Sequence, residues 1–229
     1  MNKNIQMLLN NAEKEVGYQA NNQPQPNRYN KYAEYLDKLG DIYNGRKNGY
    51  HFCDIFVDYM FITTFGKEQG MALLCQEYHG LGAGCTYSAR YFINNNQFYN
   101  LPNKGDQIFF TNDGGKTCYH TGLVYDYDNT YVYTIEGNVS GAKVLKLKHK
   151  LNANYIFGYG RPDWSILDKG DDEEVVRYNT LDEIPTKYRV QIKKLIEIGA
   201  IAGQGKNHLD LSEDMIRNAI IAGRLAGVF

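Results

Sequence analysis

The sequence predicts an α+β protein, because helical patterns come first and strand patterns follow. Over residues 5–96, apolar side chains recur every three or four positions, which is typical of amphipathic helices. From Gly105 the spacing changes to two, in short β-branched or aromatic segments separated by Gly, Asn and Asp. This order predicts one antiparallel sheet packed on a layer of N-terminal helices.

Residues that start or end helices divide the first part. The first pattern ends near Gly17, and a Gly- and Asn-rich loop through Gly49 leads to Cys53. The helix that follows this loop is expected to bury one face. The glycine cluster in residues 79–88 lacks the Gly-Lys-Ser/Thr ending of a nucleotide-binding loop, so it is interpreted as a turn. The predicted helices cover residues 5–17, 30–39, 53–65, 67–76 and 86–96.

The strand part is expected to form an antiparallel meander, with Asp128 and Asn129 at one hairpin turn. Its predicted strands cover residues 106–111, 119–128, 130–137, 143–149 and 155–160.

The rest of the chain differs in composition. Residues 165–177 are acidic and polar, so they are interpreted as a linker between a domain at 1–164 and a helical module at 178–229. In the module, Pro185 marks one helix start and Ser212 caps a second helix. A module of about fifty residues buries little by itself, so it is expected to dock on the main domain, dimerise or hold a ligand.

Composition and charge argue against several function classes. The 229 residues carry a formal net charge of -1, which gives no field that would attract nucleic acid or an anionic membrane. Residues 1–19 include Glu13 and Glu15 and lack a continuous apolar run. Neither a signal peptide nor membrane insertion is therefore expected, and the protein is expected to be made in the cytoplasm. The four cysteines show no paired-finger spacing, which favours reduced thiols.

Cys53 is the strongest candidate for a nucleophile. At the first turn of a helix, unpaired backbone N–H groups and the positive end of the helix dipole both favour thiolate over thiol. The competing interpretation is a small buried hydrophobic residue, which is how most free cysteines are used. A nucleophilic thiol also needs a base.

Five histidines are available as that base. His149 lies among lysines on a predicted edge strand and is expected to be solvated. His208 belongs to the C-terminal module, and His79 lies in the glycine-rich turn. His51 is too close to the thiol along the chain to be placed independently opposite it. His120 remains.

His120 begins a predicted strand, and Gly122 on the same strand face is expected to leave room beside the imidazole for a substrate backbone. On the next strand, Glu136 lies about as far past the predicted turn as His120 lies before it. The two are therefore expected to be cross-strand neighbours. A carboxylate that fixes one imidazole nitrogen leaves the other free to serve the thiol. The alternative for a lone Glu in a strand is an exposed side chain.

The segments FCDIFVDYMF, GDQIFF, HTGLVY, YTIEGN and GYGRPDW occur in this order. Together they resemble the CHAP family of papain-like, cysteine- and histidine-dependent amidohydrolases and peptidases, over about residues 5–164. The resemblance implies a papain-like fold and a peptidoglycan hydrolase, which in many members is a phage or prophage endolysin. It implies that Cys53 is the nucleophile, His120 the general base and Glu136 the acid that orients the imidazole. Asn138 matches a further polar position of the site.

In the implied mechanism, the thiolate attacks an amide carbonyl, and the backbone N–H of Cys53 with a second donor holds the oxyanion. His120 protonates the leaving amine and then activates the water that frees the acyl-enzyme.

The chain departs from the family pattern in two places. Phe52 stands where a tryptophan often precedes the cysteine, which exchanges one aromatic ring for another. Some relatives have an Asp-rich calcium loop before the nucleophile, whereas this chain offers only Asp41 there, so no metal and no cofactor is expected. A zinc site made by Cys53, Cys118 and His120 lacks a fourth ligand and is set aside. Cys118 itself is expected to pack rather than react.

The leading hypothesis is an endolysin-type enzyme that binds bacterial peptidoglycan and cuts the N-acetylmuramoyl-L-alanine amide or a stem-peptide bond. It would reach the wall after release from the cytoplasm. The alternatives are a non-lytic cysteine peptidase or amidase acting on protein or γ-glutamyl substrates, and a non-catalytic wall-binding protein. The module at 178–229 resembles, less specifically, helical modules of prophage amidases, which implies wall anchoring or self-association into a homo-oligomer. The alternative there is a passive helical cap.

Overall fold

The computed structural model describes residues 2–40, 45–76, 84–168, 176–201 and 208–229. The chain divides into two compact units, one ending at Leu167 and the other beginning at Asp168. Within the described residues, the first unit contains helices followed by a six-stranded antiparallel sheet, so the predicted α+β class is confirmed. Its elements are α1 (Lys3–Lys14), α2 (Lys31–Lys38), α3 (Cys53–Phe65), α4 (Lys67–Leu73), α5 (Cys85–Asn94), β1 (Phe98–Tyr99), β2 (Gln107–Phe110), β3 (His120–Tyr127), β4 (Tyr131–Val139), β5 (Lys143–Lys150), β6 (Ile156–Gly160) and α6 (Ser165–Asp168).

Helix α3 lies at the centre of the first unit. Its bounds agree with the predicted helix at 53–65, but the expectation of a single buried face is wrong. All residues from Cys53 to Asp58 are buried, as are 60–62, so the helix is covered on every side. The cause is tertiary packing, because α1, α2, α4 and α5 contact it and strands β3 and β4 also lie against it.

The sheet has the strand order β1-β6-β2-β3-β4-β5. Strands β2 to β5 follow one another as a meander, but β6 pairs with β2 instead of β5, so the prediction of a simple meander is wrong. Strand β5 carries the exposed lysines Lys146, Lys148 and Lys150, and such charges are typical of a sheet edge that is not to be paired further. Strand β6 pairs with β1 on one side and β2 on the other, so it lies inside the sheet and is largely buried.

Alternation along the strands gives the sheet two apolar faces. One face packs in the cluster that includes α3 and contains Phe109, Leu123 and Ile135. The neighbouring positions along these strands belong to a second cluster: Ile108, Phe110, Val124, Val132 and Tyr159. Because side chains alternate with a period of two, the second cluster lies on the other face. His120 and Glu136 lie on this second face of the sheet, as do Val124 and Val132.

The C-terminal unit contains β7 (Arg177–Tyr178), α7 (Thr186–Glu197), β8 (Leu211–Ser212) and α8 (Glu213–Leu225). The Ser212 hydroxyl accepts a hydrogen bond from the Met215 backbone N–H at 3.2 Å, as predicted for a helix cap. The pairing of β7 with β8 was not predicted, because two residues are too short to show alternation. Its core consists of Ile184, Ile192, Leu195, Leu211, Ile216 and Ile220.

Part of the predicted linker at 165–177 is structured. Residues 165–168 form α6, and Ile166 and Leu167 pack against the core of the first unit. Residues 169–175 lie outside the described residues. None of the described helices combines the length and apolar composition needed to cross a lipid bilayer.

Candidate active site

The candidate nucleophile begins helix α3. Phe52 is the N-cap residue and makes no side-chain capping bond, so the first backbone N–H groups of the helix remain available. Cys53 is 8% exposed and lies beside the fully buried Phe52. The backbone N–H of Asp54 donates to the Cys53 sulfur. The thiol therefore sits where unpaired donors and the helix dipole favour a negative charge.

The structure brings His120 and Glu136 together. His120 Nε2 lies 2.7 Å from Glu136 Oε2, and the glutamate side chain is 1% exposed. The Cys53 thiol interacts with the same imidazole, and because Nε2 already faces the carboxylate, Nδ1 is left for the thiol. A thiol, an imidazole and a carboxylate are thus arranged in series.

Gly122 makes room for this arrangement, but not in the way expected. Leu123 pairs with Ile135, which sets the next residues on these strands, Gly122 and Glu136, side by side. A Cβ on Gly122 would lie 2.4 Å from Cγ of Glu136. The space above the glycine is therefore filled by the glutamate side chain, and the expectation that it accommodates a substrate backbone is wrong.

His149 is a site residue that the sequence reasoning missed. Its Nε2 lies 2.7 Å from Glu136 Oε1, its side chain is 16% exposed, and its ring packs on Phe110 with 4.7 Å between ring centroids. The prediction of a solvated histidine is therefore wrong. The lysines of β5 share the outward face, so alternation sends His149 to the opposite face, and this was the signal that could have found it.

The charges of the three groups support each other. A hydrogen bond from Cys85 lowers the pKa of Cys53 well below its ordinary value; burial opposes this, and the hydrogen bond and charge of His120 lower it further. Burial disfavours a charged His120, but its bonds to Cys53 and Glu136 raise its pKa to about 10. Burial would likewise raise the pKa of Glu136, yet bonds from His120 and His149 hold it at about 2. At neutral pH these directions give a thiolate, an imidazolium and a carboxylate.

Cys85 is a second thiol at the site. It begins α5 and is 6% exposed, and its single S–H proton lies between two acceptors, the Cys118 carbonyl oxygen at 3.0 Å and the Cys53 sulfur. The contact with Cys53, followed by burial, strongly raises the pKa of Cys85, so it stays protonated and acts as a donor. The backbone of Cys118 hydrogen-bonds to the side chains of Cys85 and Thr86 at the start of α5, and its own side chain packs on the core.

Asp54 anchors the elements around the nucleophile. Its buried carboxylate accepts hydrogen bonds from Ser88 at 2.8 Å, from Gln107 at 3.1 Å and from the Gly84 backbone at 3.2 Å. Burial and then the charge on Cys53 raise the pKa of Asp54 to about 7. One side chain next to the thiol thus fixes both α5 and β2.

Asn138, which follows Glu136 by two residues, bonds to His51 and Arg28 and not to the three groups in series. Its Nδ2 lies 2.9 Å from His51 Nδ1, and its Oδ1 accepts from Arg28 Nη1 at 3.2 Å. It follows Gly137, where a Cβ would lie 2.6 Å from Cβ of Phe56 in α3. The end of β4 is therefore held against the first turns of α3, and Asn138 contacts His51, which lies just before α3.

No group of three or more His, Cys, Asp or Glu side chains within the described residues could hold a metal ion. Asp41, His79 and the first half of the glycine-rich segment, residues 79–83, lie outside the described residues. His208 belongs to the C-terminal unit.

The described residues thus define an α+β protein with a thiol, an imidazole and a carboxylate in series. No protein-family model matches the chain, and no curated protein sequence matches it. Among solved structures, the chain is similar to one described as "X-ray Crystal Structure of PlyC", with 15% sequence identity and a TM-score of 0.37. The similarity covers 69% of this chain and 35% of that chain, so the match spans about a third of the length of the solved structure. A TM-score of this size does not establish a common fold, so function must be inferred from the site itself.

Proposed function

We propose that this chain is a cysteine amidohydrolase of the papain-like CHAP type that cleaves amide bonds of bacterial peptidoglycan. The observation that carries the proposal is the series Cys53, His120 and Glu136, in which the imidazole interacts with the thiol on one side and lies 2.7 Å from a buried carboxylate on the other. Such a series is the arrangement that activates a thiol for attack on a carbonyl.

The reaction follows from the charges of this series. The Cys53 thiolate attacks the carbonyl carbon, and negative charge develops on the carbonyl oxygen near the uncapped start of α3, where the Cys53 backbone N–H can donate. The His120 imidazolium passes its proton to the departing amine as the C–N bond breaks, leaving a thioester. His120 then takes a proton from water, which attacks the thioester and releases the acid. Glu136 stabilises the imidazolium before the C–N bond breaks and again when His120 takes the proton from water.

His149 has a supporting part in this scheme. It donates to the oxygen of Glu136 that His120 does not use, and the Thr134 hydroxyl donates to that oxygen at 2.5 Å. The carboxylate is thereby held in one orientation, with its other oxygen on His120. We assign His149 as a positioning residue, since it acts on the imidazole through Glu136.

In this proposal the enzyme reaches the wall after release from the cell, and the module at 178–229 anchors it there or joins two copies. The C-terminal unit carries a groove of about 260 Å³ between α7 and α8, and three of its lining side chains are cationic. Its lining residues are Lys187, Tyr188, Gln191, Arg217, Ile220, Ile221 and Arg224. Sedimentation of the full chain with purified walls, together with its mass in solution, separates anchoring from self-association.

The test is digestion of defined peptidoglycan, with mass spectrometry of the released fragments. Wild type should release fragments with new amino ends, whose masses distinguish the N-acetylmuramoyl-L-alanine amide from a stem-peptide bond. Cys53→Ala should release none, while Cys75→Ala, a matched change at a thiol that bonds to Gln97, should retain activity. Intact walls with cleavage of a plain protein would point to a non-lytic peptidase. Wall binding without any cleavage would point to a binding protein.

A further inference from the structure

Three polar side chains form a cluster beside the candidate active site, which we call the Arg28 cluster: Arg28, His51 and Asn138. Arg28 Nη1 lies 3.2 Å from His51 Nδ1 and 3.2 Å from Asn138 Oδ1, and Asn138 Nδ2 lies 2.9 Å from the same His51 nitrogen. The cluster adjoins the nucleophile along two chain segments. His51 precedes Cys53 by two residues, and Asn138 follows Glu136 by two.

The surrounding backbone fixes the guanidinium of Arg28. Its backbone N–H donates to the Gly49 carbonyl at 3.0 Å, in a short antiparallel bridge between the two loops. Its Nε donates to the Gln23 carbonyl at 2.9 Å. Arg28 is half-buried, so the side chain loses less conformational entropy when it binds a ligand than a freely moving surface arginine would.

Two N–H donors of the Arg28 cluster, on His51 and Arg28, have no hydrogen-bond acceptor among the described residues. Arg28 Nη1 and Asn138 Nδ2 both face Nδ1 of His51. Because a guanidinium can only donate, that nitrogen is an acceptor and the ring proton lies on Nε2. Across the described part of the chain, no protein group accepts a hydrogen bond from His51 Nε2 or from Arg28 Nη2. Nor does any described carboxylate lie within ion-pair distance of Arg28. The cluster therefore presents a positive charge held in place and N–H groups that no described protein group accepts.

We propose that the Arg28 cluster is a subsite for a carboxylate of the substrate. The ligand is a peptide with a free carboxylate close to the scissile amide. The donors left for it are Nη2 of the charged Arg28 and Nε2 of His51, and a hydrogen bond from a guanidinium to a carboxylate is charge-assisted. The proposal rests on the proposed function, in which the stem peptide is the acidic part of the wall polymer. It makes Arg28 a specificity residue that distinguishes a free carboxylate from its amide.

The experiment compares two muropeptides that differ at one group, a γ-linked glutamate whose α-carboxylate is either free or amidated. Wild type should cleave the free acid with kcat/KM about tenfold higher, since hydrogen bonds to charged groups are the stronger ones. Arg28→Gln should abolish this preference, mainly by raising KM for the acid. Arg46→Gln removes the same charge from an exposed arginine beside Asp37 and should keep the preference.

Binding to Cys53→Ala protein, measured by calorimetry with the same two peptides, tests the subsite without catalysis. Tighter binding of the acid, lost on adding Arg28→Gln in a variant that melts like its parent, supports the proposal. Equal binding of acid and amide overturns it. If wild type cleaves neither peptide, the proposed function fails, and the binding comparison still decides the subsite.

Discussion

Replacing Glu136 by Gln would separate the charge of this side chain from its shape. Its carboxylate accepts hydrogen bonds from His120 and His149 at 2.7 Å each and from Thr134 at 2.5 Å. An amide has a single acceptor oxygen, and its NH₂ group would face at least one of these donors. Glu136→Gln should therefore preserve packing while leaving a buried donor without an acceptor.

The lowered pKa of Glu136 means that its charged form stabilises the folded protein. A lowering from 4.5 to about 2 in the folded protein corresponds to about 3 kcal/mol, and a side chain 1% exposed needs no discount for solvent. Because the folded pKa is depressed, this contribution is present above pH 4.5 and is lost as the pH falls from 4.5 towards 2. Urea unfolding across this range should show a steeper loss of the free energy of unfolding in wild type than in Glu136→Gln.

The same substitution should lower kcat/KM about tenfold to a hundredfold, because the imidazolium loses a charge-assisted hydrogen bond. Glu136 also helps to raise the pKa of His120 to about 10, so the alkaline limb of the pH–rate profile should move to lower pH. Glu13→Gln, the same change at an exposed residue paired with Lys146, should alter neither profile. Wild-type activity together with an unchanged acid slope in Glu136→Gln would refute the reasoning.

Three further substitutions probe the same site. His149→Phe should keep the ring contact with Phe110 but lose the bond to Glu136, lowering the free energy of unfolding by about 2 kcal/mol in urea titrations and reducing kcat. Gly122→Ala should lower kcat more than it lowers the melting temperature, because the new Cβ would lie 2.4 Å from Cγ of Glu136 and push the carboxylate off its imidazole. Cys85→Ala should raise the pKa of Cys53, seen as a shift of its alkylation profile to higher pH, whereas Cys85→Ser should shift it less because a hydroxyl donor remains. An unchanged profile in Cys85→Ala would contradict the assigned hydrogen bond.

Local pattern and turn chemistry explain what the sequence could predict. The start of α3 at Cys53 follows from a glycine-rich loop and a run of apolar spacing, which are both local signals. The contact between the side chains of His120 and Glu136 follows from one hairpin, in which the position of the turn sets the approximate register. A β-bulge on this hairpin shifts the register, so Glu136 lies beside Gly122 and reaches His120 along the strand. Counting from the turn cannot reveal such a bulge.

Other features of the site depend on contacts between distant segments. Cys85 comes to Cys53 because Asp54 binds the start of α5, and nothing in the sequence near either thiol shows this. Arg28 reaches the site through pairing of its loop with Gly49, which no periodic pattern predicts. His149 differs from these residues, because alternation with the exposed lysines of β5 already predicts that it lies on the opposite sheet face, where Phe110 lies.

The most direct test of the account is the rate at which iodoacetamide alkylates Cys53 between pH 4 and 10, with the modified peptide identified by mass. The account predicts reaction with an apparent pKa well below the ordinary 9.0, and a rise of that pKa in His120→Asn, because the imidazolium no longer stabilises the thiolate. An apparent pKa near 9 in wild type, or one that does not change when His120 is replaced, would contradict it.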